Sequence, residues 1–133
     1  MKLLLDTHAI LWWLGNDRRL SNRSRDIIGN PANDIVVSVV SLWEIVVKVR
    51  VGKLQANISE VMRALETEAF DFLAILPGHL QKLAELPSHH RDPFDHLLIA
   101  QSIAENITFM TDDQYAPLYP VRIVRCSLNV DPA

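Results

Sequence analysis

Short apolar runs alternate along the chain with longer stretches in which apolar residues recur at helical spacing. Lys2 to Leu5 is an apolar run ending at Asp6, and Thr7 to Leu14 reads as a helix that stops near Gly15 and Asn16. Ser21 caps a second helix running to about Gly29, where Gly29, Asn30 and Pro31 end it. Ile35 to Val40 is β-branched and apolar on both faces, as in a strand buried within a parallel sheet. Ser41 then starts a helix that runs to about Val51 and stops at Gly52. Asn57 and Glu60 have the spacing of a capping box for the next helix, which ends near Glu68. A short strand from about Phe72 to Leu76 stops at Pro77 and Gly78, and a helix from about His79 to Leu86 stops at Pro87. Asp92 followed by Pro93 starts another helix, with Phe94, Leu97, Leu98 and Ala104 as its buried stripe. Thr108 to Thr111 and Val121 to Val124 complete the strands.

Strands separated by helices of this length predict an α/β domain with a mainly parallel sheet covered on both faces. Ligands of such sheets bind beyond the carboxyl ends of the strands, where neighbouring crossovers leave in different directions. At 133 residues the chain suits one compact domain spanning 1–133, with no repeat, linker or low-complexity segment.

Apolar residues make up 49% and charged residues 22% of the chain, which fits a folded globular protein and argues against disorder. The formal charge of −3 does not advertise a nucleic-acid binder, because such proteins usually carry a basic surplus. Carboxylates that hold divalent cations are neutralised locally, however, so net charge alone does not decide the matter. Cys126 is the only cysteine, which excludes an intrachain disulfide and points to a reducing compartment. The three leucines after Lys2 fall far short of a signal-peptide core, and no apolar run approaches the roughly 18 residues of a membrane span. The expectation is a cytoplasmic protein.

Four acids fall on the carboxyl edge of the expected sheet. Asp6 follows the first strand, Glu44 lies in the first turn after the second, Asp95 lies in the first turn of its helix, and Asp113 follows the Thr111 strand. Each alone has a structural explanation. Asp6 can cap the helix beginning at Thr7, Glu44 stands three after Ser41 and Asp95 three after Asp92, as in capping boxes, and Asp113 can end a turn. Together they converge if the sheet is parallel, and several like charges a few ångströms apart cannot all ionise unless something positive lies between them. An all-oxygen set without matching Cys or His favours Mg²⁺ or Mn²⁺ over zinc. A cation so placed activates water and stabilises the charge on a phosphodiester in displacement, so hydrolytic phosphoryl transfer is the chemistry expected.

The segments LLLDTHAILWWL (3–14), VSVVSLWEIVVKVRVGKL (37–54), HRDPFDHLLIAQS (90–102) and MTDDQY (110–115) resemble, in order and spacing, the four acidic motifs of PIN-domain, VapC-type toxins of toxin–antitoxin pairs. The resemblance spans essentially the whole chain. It implies an α/β/α sandwich and endonucleolytic cleavage of RNA. It implies Mg²⁺ ligation by Asp6, Glu44, Asp95 and Asp113, supported by the hydroxyls of Thr7, Ser41 and Thr111. It further implies a homodimer and a cognate VapB-like antitoxin that fills the acidic groove with a basic residue. Asp92 reads as a helix cap and Asp112 as a turn residue or supporting acid; if Asp113 is not the fourth ligand, Asp112 is. His96 stands where such sequences often have Arg.

Lys48, Arg50 and Lys53 are the candidates for phosphate contacts near Glu44, and His96 is a further one. The plainer reading of Lys48 is an ion pair with Glu44 four residues earlier. Trp12 and Trp13 lie in a helix apolar on nearly every side, so one suits the core and the other an interface. Three alternatives remain in view. His89, His90 and His96 invite metal-free acid–base chemistry on RNA, although a solvated loop explains the first two. A haloacid-dehalogenase-like phosphatase needs a second Asp two residues after Asp6, where this chain has His8. A catalytically silent PIN-like binding module is the rival from another class.

Overall fold

A computed structural model describes residues 1–89 and 91–127; His90 therefore lies outside the described residues. The chain runs β1 (Lys2–Leu5), α1 (Thr7–Leu14), α2 (Asn22–Gly29), β2 (Asp34–Ser38), α3 (Val39–Arg50), α4 (Ile58–Thr67), β3 (Asp71–Leu73), α5 (Pro77–Glu85), α6 (Pro93–Ala104), β4 (Thr108–Met110), a 3-10 turn (Ala116–Leu118) and β5 (Ile123–Val124). The five strands form one all-parallel sheet in the order β3-β2-β1-β4-β5. Strands added after β1 first step to one side of it, and β4 and β5 then lie on the other. The switch point is thus the gap between β1 and β4, where Leu5 pairs with Met110.

Period-two alternation divides the core between the two faces. Leu3, Leu5, Ile35, Val37 and Met110 pack with Ala9 and Ile10 of α1, Ile28 of α2, Ile45 of α3 and Leu65 of α4. Leu4, Val36 and Phe109 face the other way, onto Leu97, Leu98, Ile99 and Ala100 of α6, with Leu83 of α5 packed against them. The result is the expected helix–sheet–helix sandwich.

Several boundaries differ from the sequence reading; the last two strands, for instance, are Thr108–Met110 and Ile123–Val124, shorter than expected. The second strand ends at Ser38 instead of Val40, because the Ser38 hydroxyl accepts from Val40 N at 3.0 Å and caps α3. That hydroxyl also donates to Gln101 Oε1 at 2.5 Å, a partner on α6 that local pattern does not reveal. Glu44 consequently lies in the second turn of α3, and Ser41 is inside the helix and makes no cap. The third strand is Asp71–Leu73, shorter and earlier than Phe72 to Leu76. Pro77 starts α5 as its first residue, where its missing N–H is no loss; the sequence reading had it as a stop before His79.

Helix ends explain the remaining punctuation. Gly52 has φ 77°, the left-handed conformation that closes α3 without steric penalty. Ala69 takes the same kind of conformation (φ 59°) after α4, where a Cβ is strained.

Candidate active site

Asp6 begins where β1 ends. Its amide donates to Met110 O at 3.0 Å, fastening it to the neighbouring strand, and its Oδ1 accepts from Ala9 N at 2.8 Å, capping α1. It therefore has the structural role open to it and a place at the switch point as well. The side chain is 4% exposed, and burial pushes its pKa up to about 6. Hydrogen bonds from Ala9 N and Thr111 and the charge of His8 pull the other way, while Asp112 adds to the rise. Cys126, fully buried, places Sγ 4.0 Å from Asp6 Oδ1, and burial beside Asp6 and Asp112 raises its pKa so that the thiol keeps its proton. Cysteine counting in the sequence gave no hint of this neighbour.

Asp95 enters from the opposite direction of the chain. α6 runs back across the sheet to feed β4, so its amino end lies at the carboxyl edge. Asp92 caps that end, its Oδ1 accepting from Phe94 N at 2.8 Å and Asp95 N at 3.2 Å. Asp95 is pushed up to about 8, first by burial and then by the charges of Asp92, Glu44, Asp6 and Asp113. Three carboxylates from separate parts of the chain, Glu44, Asp6 and Asp113, are thus within electrostatic reach of Asp95 beside its own helix cap, which is the convergence a parallel sheet produces.

Glu44 is 2% exposed and held at both oxygens. Thr7 Oγ1 donates to Oε1 at 2.5 Å, and Lys48 Nζ donates to Oε2 at 2.5 Å. The hydroxyls of Thr7 and Ser41, 3.0 Å apart, are hydrogen bonded beneath it. Burial works against the Lys48 charge, but Glu44, Asp92 and Asp95 outweigh it and hold its pKa above the usual lysine value. The plain i,i+4 pair is therefore present, and Lys48 also lines the cleft described below.

Beyond β4, Thr111 bonds to Asp6 and accepts from Asp113 N at 3.0 Å, so one buried hydroxyl ties two acids together. The two neighbouring aspartates differ. Asp112 Oδ1 accepts from Cys126 N at 2.8 Å and Ser127 N at 3.2 Å, anchoring the segment after β5, whereas Asp113 acts on Asp95.

The remaining candidates lie in different places. The His96 and His89 rings pack against Tyr119 at 5.5 and 5.3 Å, on the α6 face of the sheet. Arg50 is exposed in the last turn of α3, while Lys53 lines the cleft beside Thr7. Trp12 and Trp13 both lie partly buried against the core, and the half-exposed tryptophan is Trp43, at 49%. Its ring meets Phe94 edge-on at 4.7 Å.

The donors at the edge are all oxygen and short of positive charge, which suits a hard divalent cation. Among the described residues no group of three or more His, Cys, Asp or Glu side chains is arranged to hold a metal ion by itself. Mg²⁺ commonly takes one or two carboxylates and keeps several waters, and Asp6 with Asp95 fits that smaller demand. No described helix is long and apolar enough to cross a membrane.

An all-parallel five-stranded sheet between helices, with carboxylates gathered at its switch point, defines the class of fold. The chain matches the PIN domain over residues 3–119 and belongs to that family. Its fold is similar to that of VapBC2 from Rickettsia felis bound to a promoter DNA fragment, with TM-score 0.72, 16% identity, and 95% of this chain and 99% of that chain covered. It is similar also to a toxin–antitoxin complex from Klebsiella pneumoniae (TM-score 0.66, 14% identity, 96% and 99% covered). VapBC-1 from nontypeable Haemophilus influenzae matches with TM-score 0.63 and 17% identity, 94% and 98% being covered. Identities this low establish shared fold. No curated protein matches the chain significantly by sequence.

Proposed function

We propose that the protein is a Mg²⁺- or Mn²⁺-dependent endoribonuclease and the toxin of a type II toxin–antitoxin pair. Membership of the PIN family and the likeness to chains from toxin–antitoxin complexes support a nuclease role at the coarse level. The observation that carries the metal reading is Asp95, pushed up to about 8 first by burial and then by the charges of Asp92, Glu44, Asp6 and Asp113. A site so short of positive charge favours a cation over its own ionisation.

Asp6 and Asp95 are the residues that would hold the cation directly, with Asp113 and Glu44 adding negative charge around it. Bound there, it supplies an activated water and charge neutralisation for a phosphodiester. Thr7, itself bonded to Ser41, holds the Glu44 carboxylate, and Thr111 orients Asp6 while gripping the Asp113 backbone. Lys48, bonded to Glu44, offers its ammonium to a phosphate oxygen.

The same reading makes the partners a VapB-like antitoxin, presenting a basic residue to the acids, and a second copy of the chain, in the cytoplasm. Val39 and Trp43, one turn apart and 39% and 49% exposed, support an apolar contact surface. Light scattering tests the dimer; a monomer at micromolar concentration counts against it.

One observation favours the rival, a silent binding module: both Glu44 oxygens are already engaged, by Thr7 and Lys48. The discriminating experiment is cleavage of total cellular RNA with and without Mg²⁺ or Mn²⁺, beside Asp6→Asn, with product ends mapped. Metal-dependent cutting abolished by the substitution supports the nuclease. Equal cutting by the variant assigns the activity elsewhere, and RNA binding without cutting by either favours the module.

A further inference from the structure

A cleft of about 380 Å³ opens beside the acids, and the two share a wall. Thr7 and Lys48 line it, and both bond to Glu44. The remainder of its lining differs in character from the carboxylate edge. Trp12 lines the cleft, with the Arg19 guanidinium 5.0 Å from the indole centroid and the His8 ring 5.7 Å away, tilted by 33°. Lys53 also lines it, its backbone amide donating to Lys48 O at 2.8 Å. Arg19, Lys48 and Lys53 face one carboxylate within the lining, Asp17.

Asp17 does more than offset charge. Its carboxylate takes Arg19 Nη2 at 2.8 Å and Nε at 3.1 Å, holding the guanidinium over Trp12, and Arg19 pulls the Asp17 pKa down to about 2. The Arg19 side chain is 68% exposed, so the outer face of this stacked pair is open. A flat aromatic–guanidinium platform flanked by ammonium groups is the combination that stacks a nucleobase and grips its phosphate. The volume falls within the range of small-ligand clefts, roughly 300–1,000 Å³.

We infer that this cleft is a nucleotide subsite of single-stranded RNA, with a base on the Trp12–Arg19 platform and its phosphate between Lys48 and Lys53. The phosphate then lies next to Glu44, and the strand passes from the cleft onto the acid edge. A chain of net charge −3 thereby meets a polyanion through a local cationic surface. The inference rests on the RNA reading above and adds where the strand is held.

The test is fluorescence anisotropy of a fluorescein-labelled six-nucleotide single-stranded RNA, with the metal-free protein in EDTA, so that binding is measured without cutting. Trp12→Ala and Arg19→Ala are expected to weaken binding on the order of tenfold or more, and Trp12→Phe, which keeps a ring, to restore most of it. Lys53→Ala should lower the slope of log affinity against log salt by about 0.7, while Lys82→Ala, across the sheet on α5, changes neither affinity nor slope. Unchanged affinity in both Arg19→Ala and Trp12→Ala overturns the subsite and leaves the cleft to a protein segment. Platform-dependent binding by a protein that cuts no RNA supports the subsite while the nuclease reading fails; metal-dependent cutting with platform-independent binding does the reverse.

Discussion

The two flanks of the carboxylate edge are built differently. On the α3 side Glu44 is balanced within the protein, one oxygen by the Thr7 hydroxyl and the other by Lys48. On the side of β1 and α6, burial raises Asp6 to about 6, with the charge of Asp112 adding to it, and burial and the charges of Asp92, Glu44, Asp6 and Asp113 raise Asp95 to about 8. Like charges that the fold does not neutralise must be protonated or balanced from outside. The contrast separates a flank that holds its shape alone from one whose charge state depends on what binds.

The largest effect should come from removing a charge on the unbalanced flank. Asp95→Asn is expected to reduce metal-dependent cleavage by on the order of a thousandfold, since a catalytic cation supplies several kcal/mol of charge stabilisation. The same substitution should raise the melting temperature of the metal-free protein at pH 8, where the native carboxylate is half ionised. Opposite signs for activity and stability are the signature; a variant both inactive and less stable would mean that Asp95 is structural.

Breaking the balanced flank should act chiefly on stability. Lys48→Met leaves Glu44 buried without its cation and should destabilise by about 2 kcal/mol, below the full value for buried pairs because Lys48 is about a third exposed. Denaturant unfolding measures this, and adding Glu44→Gln should recover part of the loss. Additive effects of the two substitutions would show that the pair is not coupled.

Acidity tests both flanks at once. Asp6 and Asp95 have native pKa values above the ordinary 3.8, so the folded protein binds more protons than the unfolded chain between about pH 4 and pH 8. Stability without metal is therefore highest below about pH 4 as far as these groups decide it, and their contribution is lost as pH rises through 6 and 8. Added Mg²⁺ should accordingly raise the melting temperature more at pH 8 than at pH 5, with proton release seen by calorimetry in two buffers. An equal shift at both pH values would place the cation elsewhere.

The smallest effect is a reference point away from both flanks. Ala69→Gly relieves a left-handed alanine and should stabilise by up to about 1 kcal/mol without altering cleavage or its pH dependence. A changed pH profile in that variant would mean that scaffold stability, and not local charge, governs the site.

Much of this was legible in advance, for reasons that differ by element. β1 and α1 follow from an apolar run, an acid able to cap and a helical stretch, all local, and they lie at Lys2–Leu5 and Thr7–Leu14 as read. The alternation of strand and helix implied a parallel sheet, and a parallel sheet brings its post-strand residues to one edge, so Asp6 and Asp113 could be placed together without coordinates. The start of α3 was misread because Val39 and Val40 favour a strand by propensity, while Ser38 is fixed as a cap by Gln101, 63 residues later.

Periodicity and capping are short-range properties, and they determined the elements, their parallel order of march and the candidate acids. Tertiary structure alone decided which of those acids are neutralised, because Thr7 reaches Glu44 across 37 residues and only the packing of α1 beside α3 brings them within 2.5 Å. It alone separated Asp112, bonded to the Cys126 and Ser127 amides, from Asp113, which acts on Asp95. It alone set Arg19 over Trp12 next to Lys48, since stacking and charge pairing depend on distance and orientation in space, which spacing along a chain does not encode.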